Sequence, residues 1–173
     1  QQKSAGDTAS ASAHTSLSCQ RIFPSPFDYT QQAALYLPQK MPEPSSPDWQ
    51  NRLEDELTSL SKMTNGGALF LFTSYRCLNQ TFESLDERLS PLGFELFRQG
   101  SAPKQQIVEA FKRSEQGIIC ATHSFWEGLD IRGHALRLVT VDKLPFKSPE
   151  DPLYAARADF ARSKGASPFQ ALA

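Results

Sequence analysis

A doubly wound α/β domain on a mostly parallel sheet is the fold class this sequence predicts, and three observations carry the prediction. Short continuous apolar runs, of the kind buried on both faces of a sheet, recur along the chain. Amphipathic stretches of helical length separate them, which implies right-handed crossovers between parallel strands. The 173 residues, 39% of them hydrophobic, suffice for one domain with a real core.

The elements follow in order. Residues 1–20 are mostly Gln, Ser, Ala and Thr without periodicity, and predict a disordered segment. From Arg21 to Pro47, prolines at 24, 26, 38, 42, 44 and 47 predict an extended, surface-hugging lead-in. Phe23, Phe27, Tyr29, Leu35, Tyr36 and Leu37 give that lead-in apolar side chains with which to dock. The domain proper then runs over 48–173. Ser46-Pro47-Asp48 reads as an N-cap, a first-turn proline and an early acid. Trp49, Leu53, Leu57 and Leu60 form one apolar stripe of a helix, ended by Gly66-Gly67. Ala68–Phe72 is a strand buried on both faces. Leu78, Phe82, Leu85 and Leu89 mark a second helix, stopped by Pro91 and Gly93. Phe94–Arg98 reads as strand, and 103–113 as helix with Ile107, Ala110 and Phe111 inward. Ile118–Thr122 and Leu136–Val141 are further strands, and 151–164 a last helix through Leu153, Ala156 and Phe160.

Charge is nearly balanced, 18 basic residues against 19 acidic, which neither argues for nor excludes nucleic acid. Cys19, Cys77 and Cys120 are far apart and form no Cys-x-x-Cys pair, which argues against a zinc site, an iron–sulfur cluster or a disulfide framework. A reducing, intracellular setting fits. No apolar stretch approaches the roughly 20 residues that span a bilayer, and the N-terminus lacks the order of a signal peptide, so a soluble protein is expected.

Each predicted strand ends in polar residues: Thr73-Ser74, Gln99-Gly100, Thr122-His123-Ser124 and Asp142-Lys143. In an open parallel sheet these ends share one edge, where such folds bind ligands. Hydroxyls, an amide and helix N-termini suit phosphate oxygens there; Thr and Ser also cap helices and end strands by default. The third strand leads straight into Ser-Phe-Trp-Glu-Gly-Leu-Asp (124–130), odd chemistry for a bend. An aromatic beside hydroxyls suits single-stranded nucleic acid, where stacking contributes ~1–3 kcal/mol per base. Carboxylates repel phosphates, so Glu127 and Asp130 serve a ribose, an arginine or a metal-bound water, with Gly128 turning the chain between them. The structural alternative packs Trp126 under the last helix and leaves the acids solvated.

At these residues a family becomes recognisable. SFWEGLDIRGHALRLVTVDKLPFKSPEDPLYAAR (124–157) resembles the motif V region of the DinG/YoaA branch of the XPD-like superfamily 2 DNA helicases. SPFDYTQQAALYLPQKMPEP (25–44) resembles the segment leading into that family's second helicase domain. GGALFLFTSYRCL (66–78) resembles motif IV, and Arg98-Gln99-Gly100 the motif IVa neighbourhood. The resemblance covers residues 21–173 in one collinear order. It implies a three-layer RecA-like fold and the C-terminal motor domain of a cytoplasmic, nucleoid-associated, ATP-dependent DNA helicase of 5′-to-3′ polarity, acting in repair or replication. By the same resemblance, Thr73, Ser74, Tyr75 and Arg76, then Gln99 and Gly100, then Thr122, Ser124, Phe125 and Trp126, contact single-stranded DNA. Glu127, Gly128 and Asp130 face the ATP cleft.

Departures from the family pattern limit what the chain does alone. It has no Gly-x-x-x-x-Gly-Lys-(Ser/Thr) loop to cradle phosphates and hold Mg²⁺, and no Asp-Glu-Ala-His after a strand. Asp86-Glu87-Arg88-Leu89 begins similarly but sits within a helical stripe. The family's iron–sulfur cysteines belong to its first helicase domain. Motif VI, whose arginine stabilises the transferring phosphoryl group, would follow Ala173. The expectation is a piece cut at both ends, inactive by itself, with ATP and Mg²⁺ held mainly by the first domain. That domain, single-stranded DNA and a replisome subunit such as the clamp-loader χ subunit are the implied partners; no membrane is. A non-catalytic module binding protein or single-stranded DNA with the same edge is the alternative. His14, His123 and His134 lack metal-ligand spacing, Cys120 reads as core and Cys77 as a helix residue. Lys143 is either a phosphate contact or part of a structural turn in which Leu144 and Phe146 pack.

Overall fold

The computed structural model describes residues 23–144 and 152–167. It divides between Leu37 and Pro38 into two units. The first holds a one-turn helix, α1 (Tyr29–Gln32), where the proline pattern predicts extended chain. Asp28 nucleates it: Oδ1 accepts from the Thr30 N–H at 3.1 Å and the Thr30 hydroxyl at 2.6 Å, and no proline interrupts the stretch. Phe23, Phe27, Leu35 and Leu37 are exposed.

The second unit contains α2 (Trp49–Thr64), β1 (Ala68–Phe72), α3 (Tyr75–Leu89), β2 (Glu95–Arg98), α4 (Lys104–Arg113), β3 (Gly117–Thr122), α5 (His123–Trp126), β4 (Leu138–Val141) and α6 (Pro152–Ser163). The four strands form one parallel sheet in the order β2-β3-β1-β4. Ala68 lies opposite both Ile118 and Leu138, and Glu95 opposite Gly117. β1 and β3, whose sequences are unbroken apolar runs, are buried throughout; β4 at one edge alternates between half-buried and exposed residues.

Alternate side chains of the central strands feed two cores, as a period of two requires. Ala68, Phe70, Phe72, Ile118 and Cys120 pack with Leu53 and Leu57 of α2 and Leu78, Leu85 and Leu89 of α3. Leu69, Leu71, Ile119 and Ala121 pack on the opposite face with Ile107 and Phe111 of α4. This is the expected three-layer α/β arrangement.

Three helical details differ from the periodicity reading. Ser46 does not cap α2: its hydroxyl accepts from the Asp48 N–H at 3.3 Å and its carbonyl from the Trp49 N–H at 3.1 Å, a separate turn ahead of the helix. The inner face of α2 includes Glu54 and Ser61. Glu54 is buried because its carboxylate is satisfied: Gln50 Nε2 donates to Oε1 at 2.7 Å, while Ser84 Oγ at 2.6 Å and Arg88 at 3.2 Å donate to Oε2. In α6 the buried residues are Ala158 and Ala161, while Leu153 and Phe160 are exposed. A stripe of small side chains three apart replaces the large ones expected to face inward.

Candidate nucleic-acid interface

With every strand parallel, the four polar tips fall on one edge of the sheet. The loop after β1 leaves towards the α2–α3 face, and the chain after the neighbouring β3 leaves towards the α4 face. Adjacent strands whose connections depart to opposite faces open a crevice at their C-terminal ends. Residues 73–76 and 122–126 flank it.

Side-chain hydrogen bonds tie the tips into a line. Gln99, just after β2, accepts at Oε1 from the Thr122 N–H at 2.7 Å and the Thr122 hydroxyl at 3.0 Å. Its Nε2 donates to the Tyr75 hydroxyl at 2.8 Å. Thr122 and Ser124 share a hydroxyl–hydroxyl bond of 3.0 Å. At the other flank, Asp142 accepts from the Thr73 N–H at 2.9 Å and the Thr73 hydroxyl at 3.2 Å. Ser74 caps α3, its Oγ accepting from the Cys77 N–H at 3.2 Å. Capping and rim membership are thus not alternatives, because a hydroxyl oxygen that accepts still keeps a hydrogen to give. Arg76 sits exposed on the first turn of α3, and Gly100 at the turn after β2.

The 124–130 stretch is not one bend. Ser124–Trp126 belong to the short helix α5, after which Gly128, at φ 71°, turns the chain back. The Phe125 side chain, expected from the resemblance to contact DNA, is 4% exposed and turned into the apolar cluster on the α4 face. Trp126 is half exposed, edge-on to His123 with ring centres 6.0 Å apart. Beside it lies a small apolar cavity of about 100 Å³, lined by Leu71, Phe72, Thr73, His123, Trp126, Val141 and Leu144. Leu144 is exposed rather than packed, and Phe146 lies outside the described residues.

Glu127 and Asp130 lie against α4. Lys104 Nζ donates to the Glu127 carbonyl at 2.6 Å, and Lys112 Nζ to the Asp130 carbonyl at 3.0 Å. Arg132 pairs with the Asp130 carboxylate at 3.1 Å. An open cavity of about 480 Å³ is lined by Lys104, Gln105, Val108, Glu109, Lys112, Gly128, Leu129 and Asp130. These side chains offer a polar wall rather than a phosphate cradle. Among the described residues no group of three or more His, Cys, Asp or Glu side chains could hold a metal ion.

Three contributors were missed or only partly read: Asp142, placed at a strand tip but not as an acceptor, and Lys104 and Lys112. Asp142 has a side chain only 1% exposed, yet stands at a rim that otherwise suits anions. The signal was available: a carboxylate cannot serve a phosphate, so an acid at a strand tip needs donors from its own chain, here Thr73 and its own neighbour Lys143, whose N–H lies 2.8 Å from Oδ1. Lys104 and Lys112 carried no sequence signal beyond exposed helix positions. Burial and the nearby Asp142 carboxylate push the Cys77 thiol pKa up, and burial raises that of Cys120 strongly. Both thiols are therefore protonated and poor nucleophiles at neutral pH.

A four-stranded parallel sheet between helical layers, with a hydrogen-bonded polar rim at its strand tips, is consistent with the RecA-like class of α/β domain. The chain belongs to the Helicase C-terminal domain family, which matches residues 57–173. It is 36% identical over 148 residues to the ATP-dependent DNA helicase YoaA of Escherichia coli, covering 86% of this chain and 23% of that protein. It is 33% identical over 151 residues to the 3'-5' exonuclease DinG of Bacillus subtilis, covering 84% of this chain and 16% of that relative. To the ATP-dependent helicase DinG of Mycobacterium tuberculosis it is 32% identical over 151 residues, covering 86% and 22%. The chain therefore spans less than a quarter of the length of these curated relatives. No helix among the described residues is long and apolar enough to cross a membrane.

Proposed function

We propose that residues 48–173, led in by 21–47, act as the second motor domain of an ATP-dependent DNA helicase, with the strand-tip rim holding single-stranded DNA. The observation that carries this reading is the hydrogen-bonded alignment of Thr73–Tyr75, Gln99 and Thr122–Ser124 on one edge, with the half-exposed Trp126 beside them. With its polar groups fixed by the fold, the rim offers the Ser74 and Tyr75 hydroxyls to the phosphodiester backbone at little ordering cost, and the tryptophan supplies a face for a base. Arg76 adds positive charge at the same edge, where Lys143 pairs with the Asp142 carboxylate at 3.8 Å.

Glu127, Gly128 and Asp130 form one wall of a nucleotide cleft in this reading. The first helicase domain supplies the phosphate cradle, Mg²⁺ and the family's iron–sulfur cluster. Closure of the two domains on ATP shifts their DNA contacts relative to one another. The residues of this chain orient the loop: Lys104 and Lys112 hold the Glu127 and Asp130 carbonyls, keeping the acids outward. Bacterial cytoplasm, 5′-to-3′ polarity, a repair or replication role and a contact with the clamp-loader χ subunit belong to the whole protein in this proposal.

Fluorescence anisotropy of labelled oligo-dT tests the DNA reading. Binding should weaken steeply with added salt, because phosphate neutralisation releases counterions. Salt-insensitive binding, or none, overturns it. The chain by itself should release no phosphate from ATP; turnover above a buffer control that Glu127→Ala abolishes would refute that.

A further inference from the structure

The rim's hydrogen bonds have a direction, and direction decides which hydroxyls are able to donate to an anion. A backbone N–H only donates, so the Gln99 atom 2.7 Å from the Thr122 N–H must be the oxygen. That orientation puts Nε2 against Tyr75, 2.8 Å from its hydroxyl oxygen, which must therefore accept. The Tyr75 hydrogen is left pointing away from Gln99, on a side chain 56% exposed.

The same reasoning commits other hydrogens inward. Gln99 Oε1 has none to give, so the 3.0 Å bond from Thr122 uses the threonine's own hydrogen. The Thr122–Ser124 bond must then use the Ser124 hydrogen. Thr73 spends its hydrogen on the Asp142 carboxylate. Of the rim hydroxyls, Tyr75 and Ser74 keep a hydrogen with no acceptor among the described residues. Thr73, Thr122 and Ser124, with oxygens that accept only, do not offer donors to a phosphate in this arrangement.

We infer that Gln99 is a positioning residue: it fixes Tyr75 as a hydrogen-bond donor to the backbone phosphate of single-stranded DNA, and acts through Tyr75 rather than by touching the strand itself. This rests on the DNA reading above for its ligand. The hydrogen-bond geometry behind it stands independently of that reading.

A double-mutant cycle tests it. Oligo-dT affinity is measured by anisotropy for the unaltered chain, Tyr75→Phe, Gln99→Met and the double variant, with thermal unfolding recorded for each. Tyr75→Phe and Gln99→Met should each weaken binding by about ten- to a hundredfold, the range of one hydrogen bond to a charged group. The double variant should bind no more weakly than Tyr75→Phe alone. Multiplying losses would mean that Gln99 contacts DNA directly or that its replacement disrupts the rim, and would overturn the inference. So would Gln99→Met leaving affinity unchanged while Tyr75→Phe reduces it.

A second readout needs no ligand. In Gln99→Met, exchange of the Thr122 amide hydrogen with solvent should accelerate, and in Tyr75→Phe the Gln99 side-chain amide resonances should shift. If the unaltered chain fails to bind oligo-dT, the DNA reading falls while these measurements still score the Gln99 geometry. Unchanged exchange and unshifted resonances would remove it.

Discussion

The two ends of this sheet are both polar, and they use their polar groups differently. At the N-terminal end of the strands, Arg137 donates to the carbonyls of Thr64, Asn65, Glu115 and His134. Gln116 Nε2 donates to Asn65 Oδ1 at 2.6 Å, and Gly66 presses against the Gln116 backbone, where a Cβ would lie 2.6 Å from its carbonyl carbon. Side chains there close onto backbone. At the C-terminal end side chains bond to one another as often as to backbone N–H groups, and the Tyr75 and Ser74 hydroxyls keep hydrogens without an acceptor among the described residues. One end is sealed onto backbone; the other is ordered but keeps hydroxyl hydrogens without acceptors among the described residues, the contrast on which the proposed DNA-binding role rests.

Variants at the sealed end should break the comparison most visibly. Gly66→Ala adds a Cβ into backbone at φ 73°, and should lower unfolding free energy by about 3 kcal/mol in urea titrations. DNA affinity of the folded fraction should not change. Arg137→Met removes four hydrogen bonds to carbonyls from an exposed guanidinium, and should cost about 2 kcal/mol by the same measurement. If either variant leaves stability intact but weakens oligo-dT binding, the assignment of ends is reversed.

At the rim, Trp126→Ala should do the opposite. Oligo-dT affinity should fall about thirtyfold, the middle of the range for one stacked base. Stability should move by less than about 0.5 kcal/mol, as for a partly exposed side chain outside the core. The smallest effect is a pH dependence. Cys77 and Cys120 hold their protons above the ordinary thiol value of 9.0 in the folded chain. Above that value the unfolded chain releases those protons first, so stability should decline as pH rises beyond about 9, and be untouched by these thiols below it. Asp142→Asn should ease the rise at Cys77, which sits under the rim, and leave Cys120 in β3 unaltered; thiolate absorbance near 240 nm reads both.

The core and its topology were legible because burial imprints directly on sequence. Ala68–Phe72 and Ile118–Thr122 are continuous apolar runs, and β1 and β3 are the two central strands. The gathering of strand tips followed from parallel order alone. The inner face of α2 was less legible, since Glu54 is buried only because Gln50, Ser84 and Arg88 converge on it, two of them more than 25 residues away in the chain. The role of Phe125 was misread for a related reason: four aromatic and polar letters in a row do not say which side chain the α5 turn points inward. The acid at the Asp142 tip signalled a need for donors, but only the fold shows that Thr73, 69 residues away, supplies two of them.

Amide chemical-shift mapping of the isotope-labelled chain titrated with oligo-dT separates the two ends in one experiment. The account predicts shifts concentrated at residues 73–76, 99–100, 122–126 and 142–143, with Gly66, Gln116 and Arg137 unmoved. Shifts centred on the Arg137 end, or spread evenly over both, would contradict it.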